Sequence, residues 1–91
     1  MRVRIFATLR SLVGAKEVEV DVGAGDTVRN MLEKLTAEYP ALSKRVLDDD
    51  GNLQSSIHIL VNGRSVKFLD GLNSTIQEGD ALALFPPVGG G

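Results

Sequence analysis

The residues best suited to chemistry in this chain are its last six, Pro86-Pro87-Val88-Gly89-Gly90-Gly91. Gly91 offers a main-chain carboxylate with no side chain beside it. Gly89 and Gly90 lack Cβ, so a partner's walls can close on bare backbone. Pro86 and Pro87 fix φ and favour an extended run that holds the tip away from the domain. Extended at about 3.1–3.3 Å per residue, the chain beyond Phe85 spans roughly 20 Å, enough to reach the bottom of a deep cleft in another protein. Glycine-rich termini are more often frayed ends or linkers. Here, however, the run follows a turn and a short apolar strand within residues 76–85, so the tail leaves an ordered element directly. We therefore read it as an arm for threading.

Other chemistry-bearing residues point to less. Asp48-Asp49-Asp50 lacks the alternating ligands and distal Glu of a calcium loop and reads as a solvated acidic loop. His58 is the only histidine, with Ile57 and Ile59 pointing to the opposite face, so it is expected at or near the surface. Gly23-Ala24-Gly25 has no lysine at phosphate-loop spacing and reads as the turn that feeds a helix. The serines and threonines have no nearby base. With no cysteine, a disulfide, thiol nucleophile or thiolate metal site is excluded. The expectation is a chain that binds no metal or cofactor and does not catalyse alone.

Ninety-one residues, 43% hydrophobic and 24% charged, suit one globular domain with a single core. A formal net charge of −2 with interspersed signs lacks the basic field of a nucleic-acid binder. No apolar run approaches the roughly 18 residues of a membrane span, and a cytoplasmic location is expected.

The elements that must position the tail follow from periodicity. Residues 2–7 alternate Arg2, Arg4 and Phe6 against Val3, Ile5 and Ala7, and residues 17–22 alternate Glu17, Glu19 and Asp21 against Val18, Val20 and Val22. Paired antiparallel, they set arginines against carboxylates outside and place Ile5, Ala7 and the valines in the core. Between them, residues 9–13 suggest a helical turn stopped by Gly14. Val28, Met31, Leu32, Leu35 and Tyr39 form the apolar stripe of a helix of about three turns, capped by Asp26 or Thr27 and ended by Pro40. Leu42 and Val46 suggest a short second helical piece. Residues 57–61 read as a strand, Asn62-Gly63 as a hairpin turn and residues 64–66 as the returning strand. Residues 68–72 are expected to form a turn covering one end of the core. This gives an α+β domain: a mixed sheet of four or five strands, one main helix and short helical turns. Pattern alone leaves a β-grasp and a split ferredoxin-like sheet in competition. If the first and last strands are neighbours, Phe6, Ala83 and Phe85 form an exposed apolar docking patch at the root of the tail.

With those residues in view, the chain resembles a known family, the ubiquitin-like sulfur carriers of the MoaD/ThiS type, and within it most closely the molybdopterin synthase small subunits. The resemblance rests on Gly79-Asp80, a short apolar strand, Phe85-Pro86-Pro87-Val88 and Gly90-Gly91, supported by residues 3–10 and Val61-Asn62-Gly63-Arg64. Gly89 departs from it, standing where family members often have Ala, Ser or Thr. The resemblance implies a β-grasp domain over residues 1–85 and a flexible tail over 86–91. It also implies that an adenylating (MoeB-like) partner uses ATP to convert the Gly91 carboxylate to an acyl adenylate, and that a sulfur donor then displaces AMP to leave a thiocarboxylate. A molybdopterin synthase large subunit (MoaE-like) would be the second partner. Gly90, Gly89, Val88, Pro87 and Pro86 would thread the tail, while Phe85, Ala83 and Phe6 dock with Arg10 at the edge. Alternative readings are a carrier for thiamine or tRNA thiolation, a ubiquitin-like protein modifier, and a β-grasp interaction module whose end is never activated.

Overall fold

The computed structural model describes residues 1–86. Strand β1 (Arg2–Ile5) pairs antiparallel with β2 (Glu17–Glu19), with Arg2 opposite Glu19 and Arg4 opposite Glu17. The charge alternation agrees with this register, and Arg2 reaches Glu17 diagonally at 3.7 Å. Val3, Ile5, Val18 and, beyond β2, Val20 and Val22 are buried beneath. Ala7 does not join them. It is exposed at φ 51° and opens a 3₁₀ turn, Ala7–Leu9, because the chain leaves the sheet after Phe6, and Leu9 fills the core position instead. Helix α1 (Arg10–Val13) follows and ends at Gly14, whose φ of 77° is the left-handed cap that glycine adopts without strain.

Helix α2 (Val28–Glu38) buries Val28, Met31, Leu32 and Leu35 against the sheet, with Tyr39 at its C-cap. Of the two candidate caps, Thr27 is the one used: its hydroxyl accepts from the Asn30 N–H and the Asn30 side chain accepts from the Thr27 N–H. Asp26 instead accepts from the Gly23 N–H and tightens the entering turn. Pro40 both stops α2 and starts α3 (Pro40–Val46), where its missing N–H costs nothing.

Strand β3 (His58–Val61) turns through Asn62 and Gly63, with φ of 53° and 82°, into β4 (Arg64–Ser65). Two successive positive φ values are the hairpin geometry that the Asn-Gly pair favours. Residues 66–73 then make two 3₁₀ turns. Val66 is buried and Leu72 packs on the core, as expected of a covering segment, but Phe68 is 82% exposed. The last strand, β5 (Leu82–Phe85), decides the architecture. It lies between β1, to which it runs parallel, and β3, to which it runs antiparallel, giving the order β2-β1-β5-β3-β4. Five strands around a central parallel pair, crossed by one main helix, form a β-grasp, which resolves the competition with the ferredoxin-like sheet.

Leu84 is fully buried at the centre of the sheet, between Ile5 and Ile59. Leu84→Ala is therefore expected to cost about 2–5 kcal/mol, and Thr27→Ala about 1 kcal/mol, in urea unfolding.

Candidate functional site at the end of the last strand

β5 fixes where the tail begins. In the register of β5 with its neighbours, Ala83 lies between Arg4 and Leu60, and Phe85 lies opposite His58. One step past the last β1–β5 pair, the Phe6 N–H donates to the Leu84 carbonyl at 3.1 Å, which holds Phe6 beside Phe85. Their rings stack with centroids 4.1 Å apart and planes 9° from parallel. The guanidinium carbons of Arg4 and Arg10 lie 5.2 Å and 5.4 Å from the Phe6 centroid, within cation–π range. Arg10 is further fixed by its Nε donating to the Ile5 carbonyl at 2.8 Å.

The structure thus brings Phe6, Ala83 and Phe85 onto one face, as the alternation requires, and sets Arg10 of α1 at the Phe6 ring, at the edge where the resemblance put it. It differs from the expected patch in exposure: Phe6, Ala83 and Phe85 are half-buried, because the rings cover each other and arginines flank them. The face is an aromatic pair edged by positive charge, rather than an open apolar surface. His58 and Leu60 share it, also half-buried. Their outward direction was legible from alternation, but their place beside Phe85 and Ala83 depends on the β3–β5 register, for which the sequence has no local signal.

Pro86, expected to belong to the threading tail, is buried against the domain. It lines a cleft of about 170 Å³ with Thr8, Leu9, Lys44, Arg45, Gln54, Ser56 and Ile57. The sequence reading missed this cleft, whose walls come from four separate segments. Pro87, Val88, Gly89, Gly90 and Gly91 lie outside the described residues. Among the described residues, no group of three or more His, Cys, Asp or Glu is placed to hold a metal ion, and no helix is long and apolar enough to cross a membrane. Asp48 is occupied with its own loop, accepting from the Asp50 and Asn52 N–H groups.

Residues 3–91 match the family model described as the ThiS family. The chain belongs to the ThiS family. Small archaeal modifier protein 3 of Haloferax volcanii is 41% identical over 91 residues, covering 100% of this chain and 98% of that protein. The crystal structure of small archaeal modifier protein 1 from the same organism superposes with a TM-score of 0.85 at 41% identity, over 99% of this chain and 97% of that one. Sulfur carrier protein CysO of Mycobacterium tuberculosis is 36% identical over 70 residues, 75% of each chain. Molybdopterin synthase sulfur carrier subunits also match, at 24% over 91 residues in Arabidopsis thaliana and 32% over 93 in Drosophila erecta, with much weaker overall similarity than the archaeal modifiers. The protein is a ubiquitin-like member of the sulfur carrier and modifier class. The molybdopterin synthase subunit implied by the sequence resemblance is narrower than what this ThiS-family membership establishes.

The stacked pair yields a stability prediction. In a double-mutant cycle, Phe6→Ala and Phe85→Ala should show a coupling of about 0.5–1.5 kcal/mol in chemical unfolding. No coupling would mean the two rings do not act on each other in solution.

Proposed function

We propose that this chain is a ubiquitin-like modifier that is activated at the carboxylate of Gly91 and joined through it to amino groups of other proteins. The observation that supports this most is the delivery of the tail. The central strand of the sheet ends at Phe85, beside the Phe6 ring and two arginines, and the chain continues into a sequence whose last residues carry no side chains. A free carboxylate is a poor electrophile until it carries a good leaving group. An ATP-dependent adenylating partner would join the Gly91 carboxylate to AMP with release of pyrophosphate. Attack by a lysine amine on the acyl carbon would then form an amide, releasing AMP and a proton. Glycine presents the least crowded acyl carbon of any residue, and the prolines at the root of the tail limit the entropy lost when it is inserted. The face made by Phe6, Ala83 and Phe85, edged by Arg10, is the docking surface in this reading, and the nucleotide pocket belongs to the partner. The similarity to two archaeal modifier proteins over nearly the full chain favours this use of the acyl adenylate.

A second reading follows from CysO. Hydrosulfide in place of the lysine would attack the acyl carbon, releasing AMP and a proton and leaving a thiocarboxylate for sulfur transfer. Service as the small subunit of molybdopterin synthase, with a MoaE-like large subunit, is one narrower form of it.

Incubation with the adenylating enzyme of the same cell, ATP and either an acceptor protein or a sulfur donor separates these uses by intact mass. An acceptor-linked adduct formed with loss of water supports the modifier, and replacement of one oxygen by sulfur supports the carrier. Neither product, with the enzyme shown active on its own substrate, would sink both. Deleting Gly89, Gly90 and Gly91 together should abolish the product while leaving thermal unfolding unchanged, since the core is complete by Leu84.

A further inference from the structure

The cleft at Pro86 has a donor excess that the fold does not use. Lys44 and Arg45, on the last turn of α3, are exposed and line it together with Thr8 and Ser56. No acidic residue lines it. Among the described residues, neither Lys44 nor Arg45 is ion-paired: the acids that do pair take the chain's amino terminus, Arg2 and Lys34. Lys34 and Lys67 provide the contrast, since their ammonium groups donate to the Asp21 and Ser55 carbonyls at 2.7 Å and 2.6 Å. The wall itself is fixed. The Gln54 amide donates to the Lys44 and Leu47 carbonyls, both at 3.1 Å, and the Gln54 N–H donates to the Val46 carbonyl at 2.8 Å. These bonds consume Gln54's own donors and satisfy the end of α3, so the side chains of Lys44 and Arg45 remain to meet a ligand. An ammonium and a guanidinium carry donors and no acceptors. The matching ligand is rich in acceptors and negatively charged.

Position identifies which ligand. Pro86 lines the cleft and is the residue from which the chain continues towards Gly91, so a protein that encloses the tail down to its root comes beside the cleft that Lys44 and Arg45 also line. We infer that this cleft is a second docking point, separate from the aromatic face, and that it receives acidic side chains of the enzyme that activates Gly91. The inference rests on the activation chemistry proposed above. A two-point attachment on either side of the tail root fixes its direction as well as its origin. The sheet face contributes stacked rings, while the cleft contributes charge that steers the encounter and is screened by salt.

Steady-state activation, followed as pyrophosphate release by the adenylating enzyme of the same cell, tests this with the full chain. Lys44→Glu/Arg45→Glu should raise KM for the carrier about tenfold with kcat unchanged. Added salt should raise the wild-type KM and leave that of the variant nearly flat. Lys44→Gln/Arg45→Gln should move KM in the same direction by less, and it serves if charge reversal disturbs α3, which thermal unfolding of both variants reports. A KM within about twofold of wild type in both variants overturns the inference, as does a fall in KM, which would mean that the cleft holds the chain's own terminal carboxylate and releases it on mutation. If the wild-type chain is not activated at all, the proposed function falls and the inference with it. Activation with an unmoved KM removes the cleft alone.

Discussion

The parallel pairing of β1 with β5 is the constraint on which the rest depends. Val3, Ile5, Leu82 and Leu84 are all at or below 1% exposed, and they share one core cluster with the buried face of α2. Because side chains alternate along a strand, burying these four determines the other face: Arg4 on one strand with Phe6 one step past its end, Ala83 and Phe85 on the next. A shift of one residue in the pairing would place Phe85 in the core and Leu84 in solvent. The same burial that stabilises the domain therefore places the aromatic pair, and it places the tail at the end of a strand paired on both sides.

The local features of the fold were legible because each has a short-range cause. The arginine–glutamate alternation of β1 and β2, the Thr27 and Asn30 cap, the left-handed Gly14 and the Asn62-Gly63 hairpin depend on residues a few positions apart. Ala7 shows where period-two reasoning stops. The pattern continues through it, but the backbone turns away after the final ladder bond from Phe6 to Leu84, and no property of alanine marks that point. Phe68 is a similar case, an apolar residue in an apolar segment that the two 3₁₀ turns rotate outward.

The site divides along the same line. The side-chain-free end and the outward aromatics were visible in the sequence. The half-burial of those aromatics was not, because it arises from two rings and two arginines meeting across strands. The cleft at Pro86 was wholly hidden, since its lining residues lie between positions 8 and 86 and come together only through tertiary packing. The choice of reaction is of another kind again. A modifier and a sulfur carrier need the same domain, arm and adenylate, and they differ only in the nucleophile that arrives, which no residue of this chain supplies.

The parallel arrangement of β1 and β5 has a mechanical consequence. Traction on the tail pulls β5 towards its own C-terminal end, and if the molecule is held at the start of β1, the two strands are drawn past each other lengthwise. All the ladder bonds between them then carry the load together, rather than opening one at a time as they would if a strand were peeled from an edge. A load applied between the start of β1 and the end of β5 is thus borne along the direction in which a sheet best resists being pulled apart.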